Sequence, residues 1–479
     1  MTPSIELIVD ANSNWAHHEL KTTDFGDKRL NKRYIKIIND FSNKPDSSIP
    51  KATASWAAAK ATYNFFNNDR VCDQTMLLSH IKSTIKRIDQ QDIVLCAQDT
   101  TSLNFTTHPE TKGLGTLSSQ GDKTIGIMVH DTMAFTKDGV ALGLIDLQTW
   151  TRPKEEYGKR QNRKSKPIHE KESNKWLISF QATQEIQAQL SQTTLVNIAD
   201  RESDIYELFE CATKEKNSAQ LLVRARHNRT VDHPEKYLWD FLASQKVSGM
   251  LTVEVPRQKK KPKRNAELAI RFAKVTLKRP ANIATPNMPE TITVWAILAE
   301  EIKPPKNVEA ICWLLLTTIP INSFDEAVEK IQWYTIRWLI ELFHKVLKSG
   351  CKVEDRQLQT ADKLIKCLTV DAIVAWRILL LTRLGREVPN LPCSVVFEEY
   401  EWKALYRFVH QTTELPNKEP TLQETIRMVA KLGGFLGRKG DGEPGSMTIW
   451  RGMTRLRDIA DCYLMFSPKS PTPLLMGKG

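Results

Sequence analysis

Tyr334, Arg337, Glu341 and Lys348 lie in the run 332–348, which holds no Gly or Pro and stops at Ser349-Gly350. That pattern predicts one helix. At roughly 100° per residue the four side chains fall within about one sixth of its circumference. A phenol, a guanidinium, a carboxylate and an ammonium therefore share a narrow stripe on an otherwise apolar helix. Desolvating such charges is costly unless they are paired or bind a ligand. An acid able to hold a metal, set among cations able to hold a phosphate, points to phosphodiester chemistry. Two further acids stand out. The segments 92–99 and 193–200 read as short buried strands ending in Asp99 and Asp200. Adjacent strand tips bring carboxylates together, and two divalent ions about 3.5–4 Å apart can then activate water and stabilise a leaving oxygen. A donor set of carboxylates without His or Cys favours Mg²⁺ or Mn²⁺ over Zn²⁺. A strand-end Asp is otherwise a turn former, and spacing alone leaves both readings open.

These residues need a scaffold, and the composition bounds it. A chain of 479 residues is too long for one ordinary core and implies two to four domains. With 41% hydrophobic and 26% charged residues it is globular. The net charge of +12 favours polyanions, nucleic acid first, although composition also allows a charge that serves only solubility. Eight cysteines occur without a C-x-x-C pair, which argues against structural zinc and fits a reducing cytosol. Neither a secretory signal nor an apolar stretch near the ~20 residues of a membrane span is present, so a soluble intracellular protein, with no membrane partner, is expected.

Along the chain, residues 1–70 read as helical and basic. Asp27 is a candidate N-cap for a helix carrying Arg29, Lys32 and Arg33, and 54–66 is a second helix. This composition suits a DNA-contacting module with those three cations on phosphates, or a plain helical cap. After 92–99, the segment 101–105 reads as a partner strand. Residues 125–135 and 140–147 pair across Lys137-Asp138-Gly139. A polar loop over 154–175, a helix over 176–191, the strand 193–200 and a helix from 201 follow. This order is that of a ribonuclease-H-like α/β core. Residues 216–318 form a strand-rich insertion, with strands at 221–224, 249–255, 268–277, 292–298 and 310–317. Its basic loop at 256–264 is either a phosphate grip or a solvated hairpin tip. An apolar helix over 361–384 follows, then helices and loops. The glycines between 433 and 445 lack a Walker Lys-Ser/Thr and do not make a nucleotide cradle. The expected division is a DNA-binding domain over 1–70, a catalytic domain over 71–385 and a dimerisation domain over 386–479.

Three motifs carry a resemblance. Ala97-Gln98-Asp99-Thr100-Thr101-Ser102-Leu103, Ala199-Asp200-Arg201-Glu202-Ser203-Asp204-Ile205 and the Tyr334…Arg337…Glu341…Lys348 spacing resemble the insertion-sequence-four family of bacterial transposases, with its DDE acids and Y-R-E-K signature. The segments 298–306 and 313–318, Leu432-Gly433-Gly434-Phe435 and Phe25-Gly26-Asp27 are similar too, so the likeness spans nearly the whole chain. It implies that Asp99, Asp200 and Glu341 hold two Mg²⁺ ions, with Mn²⁺ substituting. It implies hydrolytic nicking at inverted-repeat ends, a hairpin made by the freed 3′-hydroxyl, its reopening, and strand transfer into target DNA. Tyr334, Arg337 and Lys348 would grip the phosphate beside a flipped base, and Trp313 would stack on that base. Read alone, Arg337 and Glu341 also make an intrahelical pair, and Trp313 a core residue of its strand. Arg224, Arg226 and His227 match the insertion's contacts to terminal DNA, although His227 equally reads as an exposed loop residue. The implied partners are double-stranded DNA and a second copy in a synaptic homodimer; the implied location is the bacterial cytoplasm, at the nucleoid. Asn64 stands where a close family member carries a basic residue, so the repeats recognised should differ. The rival readings are a nuclease that only hydrolyses and an inactive transposase-derived DNA-binding regulator.

Overall fold

Polar caps and apolar faces set the helices of the N-terminal third. In the computed structural model, residues 15–53, 55–117, 123–153, 166–215, 217–255, 263–281, 283, 285 and 287–466 are described. Helices α1 (Trp15–Leu20), α2 (Lys28–Asn43), α3 (Ile49–Ala52), α4 (Trp56–Phe66) and α5 (Asp73–Ile88) come first. Asp27 caps α2 by accepting from the Arg29 N–H, and Ser55 caps α4 by accepting from the Ala58 N–H. Tyr34 of α2 stacks on Phe65 of α4 at 5.8 Å, with Phe25 edge-on to both.

Strands β1 (Ile93–Asn104), β2 (Gly115–Thr116), β3 (Ile125–Phe135), β4 (Ala141–Trp150), helix α6 (Asn174–Gln187), β5 (Thr194–Ala199), α7 (Tyr206–Lys214) and β6 (Gln220–Arg224) build the core. β3 pairs antiparallel with both β1 and β4, while β5 pairs parallel with β1 and with β6. The order β4-β3-β1-β5-β6, antiparallel on one side of β1 and parallel on the other, is the ribonuclease-H-like arrangement. Two expectations need correction. The segments read as strands on either side of Asp99 are one strand, β1, because polar Thr100 to Ser102 stay paired with β3 instead of turning. Residues 221–224 were placed in the insertion, yet they form β6, the last strand of the core, because they pair with β5.

The insertion therefore starts after β6. It holds α8 (Leu238–Ser244), β7 (Gly249–Val255), β8 (Arg264–Lys278), β9 (Thr291–Glu301) and β10 (Cys312–Thr317). It extends the core sheet instead of forming a separate one: β10 pairs antiparallel with β6, and β9, β8 and β7 follow outward. The loop residues 154–165, and 256–262 of the basic loop, lie outside the described residues.

The signature run departs from a single helix. It divides into α9 (Phe324–Ile336), α10 (Trp338–Lys345) and a π-helical turn, Val346–Gly350. At the first joint Arg337 keeps helical dihedrals, but its N–H donates to Tyr334 O, three residues back. In the turn the Cys351 N–H reaches Val346 O, five residues back. Such interruptions recur at functional sites. Helix α11 (Ala361–Glu387), capped by Thr360, runs unbroken through the boundary expected at 385. It is apolar and buried along most of its circumference, as a central helix must be. α12 (Glu399–His410), α13 (Leu422–Leu432) and α14 (Ser446–Phe466) complete the chain. α13 and α14 touch backbone to backbone at Gly452, where a Cβ would lie 1.8 Å from Val429 O. Among the described residues no helix is long and apolar enough to cross a membrane.

Candidate active site

The parallel pairing of β1 and β5 brings two acids together. Ala97 is in register with Ile198, so two residues further on Asp99 and Asp200 stand level at the same end of the sheet. Asp99 lies within β1, where β3 still supports it; Asp200 lies just past β5 and accepts from the Glu202 N–H at 2.8 Å. The third acid, Glu341, comes from α10. Arg337 links the set: its Nη2 donates to Glu341 Oε1 at 2.7 Å, and its Nη1 is 3.5 Å from Asp99 Oδ2.

The electrostatics are strained. Burial pushes Asp99 up to about 6, the Asp200 charge pushes the same way, and His344, the Thr100 N–H and Arg337 only partly offset them. Burial pulls the Arg337 guanidinium down, but Glu341, Tyr334 and Asp99 outweigh it and the net shift is upward. A carboxylate raised by burial with the Asp200 charge beside it is the kind of donor a hard divalent cation relieves. Their oxygens do not converge, however. Among the described residues no three His, Cys, Asp or Glu groups stand as a ready metal site, because Arg337 sits between Asp99 and Glu341. The donors fit such an ion in kind, and Arg337 bridges two of them.

Around the acids lies a cationic rim. Tyr334 is buried, its phenol raised by that burial, and it senses Arg337, Arg224 and Asp200. Arg224, at the end of β6, donates to Cys312 O at 3.1 Å; burial lowers its guanidinium and the neighbouring Arg201 lowers it further. Trp313 is half-buried at the start of β10, edge-on to Tyr334 at 5.9 Å, so it borders the core without being enclosed by it. Lys348 is carried in the π-helical turn, off a straight continuation of the stripe. Burial lowers its ammonium, with the Glu354 carboxylate opposing. Glu354 accepts from the Asn104 N–H at 2.7 Å, which ties the chain after this turn to the end of β1.

The remaining expected residues sit apart from the acids. The Arg226 and His227 side chains are exposed, while their backbone N–H groups donate to Asp204 Oδ2 at 2.7 and 2.9 Å, which fixes the loop after β6. Arg29, Lys32 and Arg33 ride on α2, where Arg29 is 3.1 Å from Asp27. Sequence reasoning passed over Arg201, Trp338, His344 and Asp131. Arg201 follows Asp200 directly, and Trp338, 61% exposed, follows Arg337; adjacency was the signal for both. His344 shares a helix face with Glu341, three residues on. Asp131 gave no local signal: it faces Asp99 across the β1–β3 ladder and receives His344 at 2.8 Å.

Two family models match the ends of the chain. Residues 12–71 match the transposase DNA-binding family, and residues 373–463 match the transposase Tn5 dimerisation domain. Among solved structures the chain is similar to the piggyBac transposase in its synaptic complex with hairpin DNA, at 10% identity and a TM-score of 0.34, covering 100% of this chain and 85% of that one. That likeness is too shallow to bear weight, and the core's strand order stands without it. With a transposase DNA-binding domain at one end and a transposase Tn5 dimerisation domain at the other, the chain is similar to Tn5-type transposases at both ends.

Proposed function

We propose that this transposase moves an insertion element by cutting and pasting, with Asp99, Asp200 and Glu341 as its acids. The observation that carries the reading is Arg337 spanning Asp99 and Glu341 while Asp200 stands level with Asp99. A carboxylate raised to about 6 with Asp200 beside it, and Glu341 across Arg337, is poor design for stability and good design for binding cations. When bound there, two Mg²⁺ ions, or Mn²⁺ in their place, supply charge that offsets the anionic oxygens of phosphoryl transfer.

The protein's own residues do the rest. Asp99, Asp200 and Glu341 hold the ions. Arg337, Arg224 and Lys348 bind the phosphates of the DNA end, the guanidiniums by bidentate contacts. Trp313 and Tyr334 present aromatic surface to a base drawn out of the helix, which bends the end towards a hairpin. Arg226 and His227 contact terminal DNA from the loop after β6. The N-terminal module reads the inverted repeats, with Arg29, Lys32 and Arg33 on phosphates. The order is nicking, hairpin formation by the freed 3′-hydroxyl, reopening and strand transfer, each a phosphoryl displacement by oxygen. The C-terminal helices pair two copies in the synaptic complex, at the nucleoid of a bacterial cytoplasm.

The test uses purified protein, Mg²⁺ and linear DNA carrying the inverted repeats that flank its own gene, resolved on a denaturing gel. Wild type should give a hairpin. Trp313→Ala should stop at the nick. Unchanged hairpin yield from Trp313→Ala would return that indole to a packing role, and nicks without hairpins from wild type would favour a hydrolytic nuclease.

A further inference from the structure

Asp131 and His344 belong to no motif and to no step above, yet they lie directly behind the acids. Asp131 is opposite Asp99 in the antiparallel ladder, so the two carboxylates share one face of the sheet as nearest cross-strand neighbours. Like charges so placed repel. Asp131 is fully buried, and a carboxylate there is costly unless paired. Its partner is His344, itself buried, with Nε2 2.8 Å from Oδ2. His344 sits three residues after Glu341 on α10, on the same side of that helix. An apolar pair would fill the space at least as stably. A hydrogen bond adds direction: it fixes where α10 sits along and across the sheet.

We infer that Asp131 and His344 are a positioning pair, which clamps α10 onto β3 and so sets the separation of Glu341 from Asp99. The inference rests on the proposed roles of those two acids. Neither Asp131 nor His344 need touch DNA. Their effect passes through Glu341, whose ring-side neighbour one helical turn on is held to the strand beside Asp99. Active-site groups must be held to about 0.5 Å, and a misplacement near 1 Å costs on the order of a hundredfold in rate.

The experiment compares His344→Ala, His344→Gln, Asp131→Ala and Glu341→Gln in the full chain. The Gln side chain keeps an N–H donor near the place of Nε2, so it should restore what Ala removes. Four quantities are read: nicking rate on the inverted-repeat DNA, affinity for that DNA without metal, Mn²⁺ affinity of the protein–DNA complex by electron paramagnetic resonance of free Mn²⁺, and melting temperature. We expect His344→Ala and Asp131→Ala to nick about a hundredfold more slowly, to hold Mn²⁺ at least several-fold more weakly and to bind DNA as wild type does. His344→Gln should regain most of both losses. A melting temperature that falls equally in His344→Ala and His344→Gln, with Mn²⁺ affinity intact in both, would overturn the inference and leave a packing role. Full nicking by Glu341→Gln would instead sink the assignment of the acids on which it rests.

Discussion

Glu19, buried, and Asp99, half-buried, are both carboxylates beside an arginine, and their acidities shift in opposite directions. Glu19 joins α1 to the core. Arg87 bonds both of its oxygens at 2.8 Å, His80 Nδ1 adds a third contact at 2.6 Å, and His80 Nε2 in turn accepts from the Leu144 N–H. Burial alone would raise Glu19, but Arg87 and His80 outweigh it and bring it to about 2. Asp99 has one firm hydrogen bond, from the Thr100 N–H, and shares a more distant Arg337 with Glu341. It stays at about 6. A second structural cluster is bonded in the same way, although burial keeps its carboxyl above the usual range: Arg356 grips Asp371 of α11 through two nitrogens and also donates to Pro45 O, fastening the segment after α2 to the central helix. The contrast separates charges that hold the chain together, which are saturated with partners, from charges left short of them, to which the proposed function gives a ligand.

The contrast breaks most visibly through function. Glu341→Gln should remove nicking by a thousandfold or more, about 4 kcal/mol of barrier, while binding to DNA ends persists; a filter-binding assay beside a cleavage gel checks both. Next comes stability. Arg87→Ala strands Glu19 in the interior and should cost about 3–5 kcal/mol in urea unfolding, as breaking a buried pair does. Glu19 also gives the comparison a pH dependence. Its folded value lies below the ordinary 4.5, so its contribution is complete above pH 4.5 and drains away as pH falls towards about 2. Wild type should therefore lose stability over that window more steeply than Glu19→Gln, by titration of unfolding midpoints. Arg337→Ala should be the mildest, at no more than about 1 kcal/mol. Asp99 can escape by taking up a proton, and the Glu341 side chain is 33% exposed to water.

Much of this site was legible because it is local. Asp200 ends an apolar run, and Tyr334, Arg337 and Glu341 recur at helical spacing, so their shared stripe could be drawn from sequence. What escaped depends on partners distant in the chain. Asp131 matters through its register with Asp99, and His344 through its bond to Asp131, 213 residues away. Strand β6 was assigned to the wrong unit because a five-residue apolar strand looks the same whether its neighbour is parallel or antiparallel. β1 was cut in two because Thr100 to Ser102 are polar, and polarity in mid-strand marked the site instead of a turn. The π-helical turn at Val346–Gly350 carries its Gly only at its last position, where it reads as an ordinary helix stop, and the turn displaces Lys348 from the stripe that sequence spacing draws.

The most direct test of the central claim is a single variant, Asp99→Asn, measured twice at pH 7 without and with Mg²⁺. A carboxyl raised from 3.8 to about 6 costs the folded state on the order of 2–3 kcal/mol at neutral pH, and the cost fades below pH 4, where both states are protonated. The account predicts that without Mg²⁺ the variant melts at a higher temperature than wild type, that the gain disappears near pH 4, and that with Mg²⁺ it no longer nicks its DNA ends. A lower melting temperature at pH 7, or nicking at the wild-type rate, would show that Asp99 is a structural partner of Arg337 and would contradict the account.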